Sequence, residues 1–176
     1  MLPELSQPSE LPASLRGWID VLEVQDGEFF AADLFQRKYG VAPPEYGRHI
    51  VALYRDSAAA MHTLSYLHFW QQDRIGLIGG GCTDGAIMRA MPNDRAGAIN
   101  AAGGMLRQTL LYAFTRFHTG IDAFFGHAGD ERAREVDLAA GFRQTHDKHL
   151  LIRPVRALAD EQEQALIEQA LSLGSF

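Results

Sequence analysis

Apolar residues Ile99, Ala102, Leu106, Leu110, Ala113, Phe114 and Phe117 recur at helical spacing. This stretch constrains the fold more than any other, because a helix of about five turns with one apolar side must lie on a second layer. Gly103 and Gly104 fall in its first turns, where each costs roughly 1 kcal/mol against alanine. Such a cost calls for close packing at that end, by a neighbouring strand or by a ligand. The chain then alternates: residues 120–127 read as a buried strand, 130–140 as a short capped helix stopped by Gly141, and 144–155 as a final strand. A last helix over residues 160–173 opens on Asp160 and Glu163, a capping-box-like pair, and presents Leu166, Ile167, Ala170 and Leu171 as one stripe. That stripe can cap the sheet or pair two protomers, so a homodimer is open.

The first half reads mostly as strands. After a loose lead-in of about fifteen residues, residues 18–24 alternate as a strand, and Asp26 caps a helix from Gly27 to Tyr39 that Gly40 stops. Strand patterns follow from Arg48 (HIVALYRD) and through MHTLSYLHFW to about Trp70. The glycines between Gly76 and Gly85 imply a bulge, a tight turn or a close ligand approach, and GAIMRAM before Pro92 reads as another strand. The fold class is therefore α+β, α/β-like: a central mixed sheet flanked by helices, with an extra C-terminal helix, in a single domain.

Composition narrows the function. In 176 residues with net charge -6, the Lys and Arg are scattered rather than gathered into a basic face, so we expect no nucleic-acid partner. A small phosphorylated ligand stays open, since a helix N-terminus holds an anion without net positive charge. The single cysteine, Cys82, can form no internal disulfide and no cysteine zinc cluster. The longest uncharged stretch, residues 57–72, is short for a membrane span and the N-terminus lacks a secretory pattern, so we expect a cytoplasmic protein with no membrane partner. GLIGGGCT lacks the lysine of a P-loop, and neither a Gly-x-Ser-x-Gly elbow nor His-Glu-x-x-His occurs. His146 and His149, inside a strand, would face opposite ways, so no metal site is expected.

One segment carries a family resemblance. Met91 precedes Pro92, Arg95 stands three residues before Ala98, and Ile99 and Asn100 follow at the start of a helix. Further on, Asp130, Ala133, Gly141 and Phe142 are spaced as Asn-x-x-Ala and Gly-Phe would be, with Asp137 in place of a tyrosine. The order strand, PNDR loop, long helix, strand, helix, strand resembles the core of the GCN5-related N-acetyltransferase (GNAT) superfamily over residues 48–155. Ala98 and Asn100 depart from the family's small residues.

The resemblance implies a co-substrate, acetyl-CoA or another acyl-CoA, and a small-molecule or peptide amine as acceptor, with direct attack of the amine on the thioester. It implies a pyrophosphate cradle at Arg95, Ala96, Gly97, Ala98, Ile99 and Asn100, by the general attraction of a helix N-terminus for anions. It also implies a strand edge at Ile87, Met88, Arg89 and Ala90 for the pantetheine arm. Asp137 would take the place of the acid that protonates the thiolate, provided that burial raises its pKa. Candidate bases are His127, at the end of the fifth strand, and His68, which shares a predicted strand face with His62, Leu64, Tyr66 and Trp70. Glu45 and Tyr46 fall where acceptor-binding residues are found in the family. The second reading is a GNAT-fold binding or regulatory module without catalysis, which Asn100 and Asp137 favour.

Overall fold

The structure is a computed structural model that describes residues 11–176. Strands β1 (Ile19–Val24), β2 (Arg48–Arg55), β3 (Met61–Gln72) and β4 (Ile75–Thr83) pair antiparallel in succession, with α1 (Gly27–Tyr39) between β1 and β2. Helices α2 (Gly85–Ala90), α3 (Asn93–Ala101) and α4 (Met105–Phe117) then carry the chain over to β5 (Ala123–His127), which runs parallel to β4. After α5 (Glu131–Ala139), the hairpin β6 (Arg143–Gln144) and β7 (Leu150–Pro154) adds antiparallel to β5, and α6 (Asp160–Ser172) follows. The sheet order is β1-β2-β3-β4-β5-β7-β6. This is the expected α+β class, a mixed sheet flanked by helices with an added C-terminal helix.

Burial explains the layers. On one face Leu110, Ala113, Phe114 and Phe117 of α4 pack on Ile50, Leu67, Phe69, Ile78 and Phe124, and the Phe69 and Phe117 rings stack at 4.9 Å. On the other face α1 sets Leu34 and Phe35 against Val51, Tyr66 and Cys82, and α6 sets Ile167 and Ala170 against Leu77, Phe125 and Ile152. Of the two fates open to the α6 stripe, covering the sheet is the one observed. Among the described residues no helix is long and apolar enough to cross a membrane.

Four expected elements take another form. GAIMRAM is helix α2, not a strand: the Asp84 carboxylate accepts from the Ala86 and Ile87 N–H groups and so nucleates a turn. The long helix is two, because Gly103 and Gly104 adopt φ of 86° and 91°, a conformation that ends α3 before α4 begins. Residues 144–155 form a hairpin whose loop holds His146 and His149, and no group of side chains suited to a metal occurs among the described residues. Asp160 lies inside the first turn of α6; the N-cap is Ala159, whose N–H donates to the Gln162 amide oxygen at 3.4 Å. Of the expected lead-in, residues 1–10 lie outside the described residues, whereas Leu15 is fully buried beside Ile19 and Leu64.

Candidate active site

The glycine run is β4 itself. Leu67 of β3 faces two β4 residues, Gly80 and Gly81, and this bulge places Gly80 at φ 58°, a conformation that favours glycine. Parallel pairing with β5 covers only Ile75 to Ile78. Beyond Ile78 the two strands part, and residues 79–83 present an edge that β5 does not cover.

The parting opens a cleft of ≈ 680 Å³. Gly79, Gly80, Gly81, Cys82 and Thr83 form one wall, and Met105, Leu106 and Arg107 stand at its mouth. Gly104 precedes them, and no side chain caps α4. The first N–H groups of a helix have no partner within it, so α4 points uncommitted donors and the positive end of its dipole toward the cleft. Lys38, Arg89, Arg107 and Arg132 also reach the lining, against the acids Asp130 and Asp137.

The segment that the resemblance implies as the cradle is helical and reaches the cleft only in part. Residues 95–100 lie within α3, where the N–H groups from Ala96 onward bond inside the helix, Ala96 to the Pro92 carbonyl at 3.0 Å and Ala102 to that of Ala98 at 3.0 Å, so that only the N–H of Arg95 in this segment belongs to the uncapped first turn. The Arg95 guanidinium donates to the Arg55 carbonyl at 2.8 Å and lies over the Trp18 ring at 5.2 Å from its centroid. Ala96, Ile99 and Asn100 reach the cleft wall, whereas Arg95, Gly97 and Ala98 are not among the residues lining it. Met88 and Arg89 line it from helix α2, so they and Ala90 offer side chains and not a strand edge; Ala90 does not line it.

Two of the three expected catalytic side chains, His127 and Asp137, line the cleft. His127 ends β5, with its pKa lowered by burial and its buried Nδ1 without a hydrogen-bond partner among the described residues. Asp137 enters from α5, and burial, with Asp130 as a second cause, pushes its carboxyl up to about 7. His68 does not line the cleft but stands behind its wall, its Nδ1 3.8 Å from a Cβ built on Gly79; the ring is 2% exposed and its Nε2–H donates to the Tyr46 carbonyl at 2.7 Å. Burial lowers its pKa, so the ring is a neutral packing group against Tyr46 and His49. The shared face of His62, Leu64, Tyr66, His68 and Trp70 is broken: the extra residue in β3 opposite Ala52 and Leu53 sends Leu64 to the α3 side and Tyr66 to the α1 side.

Other residues enter unannounced. The Tyr39 hydroxyl donates to the Gly81 carbonyl at 2.8 Å from the end of α1, and burial raises its pKa. The Cys82 thiol, pushed up to about 12 by burial, stays protonated at neutral pH and is no nucleophile. The sequence signal for the site is the doubled glycine at Gly103 and Gly104, whose positive φ ends α3 and starts α4 at the cleft; no close neighbour explains Gly104, since a Cβ there meets nothing within 4 Å.

No protein-family model matches the chain, and no curated protein matches it. Among solved structures it is similar to YhhK from E. coli bound to coenzyme A, 15% identical over 77% of this chain and 98% of that one, with a TM-score of 0.46. A cAMP-binding acyltransferase from Mycobacterium smegmatis is 15% identical over 86% of this chain and 49% of that one, with a TM-score of 0.44. The AtaT toxin bound to the C-terminus of the antitoxin AtaR is 12% identical over 77% of this chain and 92% of that one, also with a TM-score of 0.44.

Proposed function

We propose that the protein is an acyl-CoA-dependent N-acyltransferase that moves an acyl group, with acetyl as the first candidate, to a primary amine. The observation that carries this reading is the meeting of two features in one cleft: the β4 edge left open beyond Ile78 and the uncapped start of α4. An amide-bearing arm pairs with a strand edge as another strand would, and a pyrophosphate suits free helix N–H groups in a cleft that Arg89, Arg107 and Arg132 also line, the Arg107 guanidinium donating to the Ala139 and Ala102 carbonyls. The cradle is thus assigned to residues 104–107, a turn beyond the segment that the motif spacing selected.

Transfer needs positioning and two proton movements. The amine lone pair attacks the thioester carbonyl carbon, the C–N bond forms, the C–S bond breaks, and its electron pair leaves on sulfur. His127, neutral at pH 7 because burial lowers its pKa, accepts the proton that the nitrogen loses. Asp137, with a carboxyl at about 7, is half protonated at neutral pH and gives its proton to the thiolate. An ordinary aspartate would have none to give.

Calorimetric titration with acetyl-CoA tests the reading. Micromolar binding is expected for the native protein and for Arg95→Glu, with at least a roughly tenfold loss for Arg107→Glu at the helix mouth. No binding to any of the three, with acetyl-CoA and longer acyl-CoAs alike, refutes it.

A further inference from the structure

The place where β4 and β5 part has an occupant supplied by the chain. After α6, Gly174 turns with φ of 75° and residues 174–176 run to the cleft on the α6 side of the sheet. A Cβ built on Gly79 would lie 2.7 Å from the Phe176 carbonyl carbon and 2.9 Å from its oxygen. Only a glycine lets the segment lie so close to the strand. The Phe176 ring sits 4.4 Å from the His127 ring at 58°, and it joins the apolar cluster that holds Trp70, Leu173 and Ile152.

The fit is incomplete in one respect. His127 Nδ1 and Trp70 Nε1 are both buried and find no hydrogen-bond partner among the described residues. A phenyl ring offers neither a donor nor an acceptor, and an orphaned buried polar atom costs about 1–3 kcal/mol. Of the two only His127 lines the cleft, and a ligand that kept the ring and added a polar atom toward Nδ1 would remove that cost there.

We propose that residues 174–176 occupy the acceptor subsite, that the Phe176 ring stands where the aromatic ring of an arylalkylamine acceptor binds, and that the segment leaves the cleft when the acceptor enters. This inference rests on the acyltransferase reading above. Gly174 is the hinge: nothing lies within 4 Å of a Cβ placed there, but its positive φ strains any other residue. Two substitutions therefore free the subsite by different routes, Phe176→Ala by removing the ring and Gly174→Val by misdirecting the segment from outside the cleft.

Phenethylamine and butylamine serve as acceptor probes with acetyl-CoA, thiol release being followed alongside calorimetry. All three proteins should bind acetyl-CoA within about twofold of one another, and the native protein should favour phenethylamine over butylamine by at least roughly tenfold in kcat/KM. Both variants should lower the KM for phenethylamine by about tenfold, since the competing ring is gone. Equal KM in all three proteins, equal use of the two amines, or no transfer to either amine while acetyl-CoA still binds overturns the inference and leaves the acyltransferase reading standing. Failure of all three proteins to bind acetyl-CoA overturns both.

Discussion

Asp137 holds a carboxyl that its surroundings keep near the midpoint of its titration at neutral pH, pushed up to about 7. A folded-state pKa above the unfolded value stabilises the protein fully below the unfolded value, and that stabilisation is lost as pH rises through about 7. Asp137→Asn, which removes the ionisation, should match the native protein near pH 4 and exceed it at pH 9 by on the order of 2–4 kcal/mol in denaturant unfolding. Parallel curves across that range would mean that the carboxyl is solvated. The same exchange should lower kcat by roughly a hundredfold or more and erase a falling limb in the pH profile above pH 7. Motif spacing points to Asp137, which is half-buried on α5 and lines the cleft. The alternation along β3 holds for Tyr66, His68 and Trp70 but not for Leu64, because it takes no account of a single bulged residue opposite Ala52 and Leu53.

Elements were legible by type more than by boundary. Helix α1 and its caps follow from local chemistry alone: Asp26 accepts from the Phe29 N–H, and Gly40 takes φ 73°. The division between α3 and α4 was hidden for a different reason. Ile99 and Met105 pack into the same cluster, so the apolar period runs unbroken across two helices that face one layer; periodicity reports a face, not a continuous helix. Gly104 marks the joint at φ 91° and ψ 158°, where a substituted Cβ meets nothing within 4 Å. Gly104→Ala should therefore cost about 1–3 kcal/mol from backbone strain alone, and weaken acetyl-CoA in calorimetry as the α4 start shifts. Arg95→Ala supplies the contrast. It loses contacts to Tyr54, Trp18 and the Arg55 carbonyl, so about 1–2 kcal/mol of stability should go while acetyl-CoA affinity stays unchanged. A fall in affinity for Arg95→Ala would return the cradle to α3.

The whole molecule is a sheet pried open on one side of β4 and closed on the other by a layer of buried rings. Strand order and the parting of β4 from β5 depend on pairings far apart in sequence, which no local pattern encodes. The ring layer has a cost. His49 accepts or donates at 2.8 Å to the Tyr66 hydroxyl, according to its tautomer, and sits 5.8 Å from the His68 ring. Burial lowers the pKa of both, opposed at His49 by Asp26 and at His68 by the Tyr46 carbonyl. Groups with depressed folded-state pKa values stabilise the fold above the ordinary histidine value and lose that contribution as pH falls through the folded one. Acidification from pH 7 to 5 should therefore destabilise the protein, by up to about 1.4 kcal/mol per pH unit for each ring. Asp137 works the other way across the whole of that window, so the slope is best read in the Asp137→Asn background. There, unfolding free energy should fall with pH, and replacing both His49 and His68 by Gln should flatten the dependence even if absolute stability drops. An unchanged slope in the double variant would place the acid sensitivity outside the ring layer, with His127 in the cleft the next residue to test.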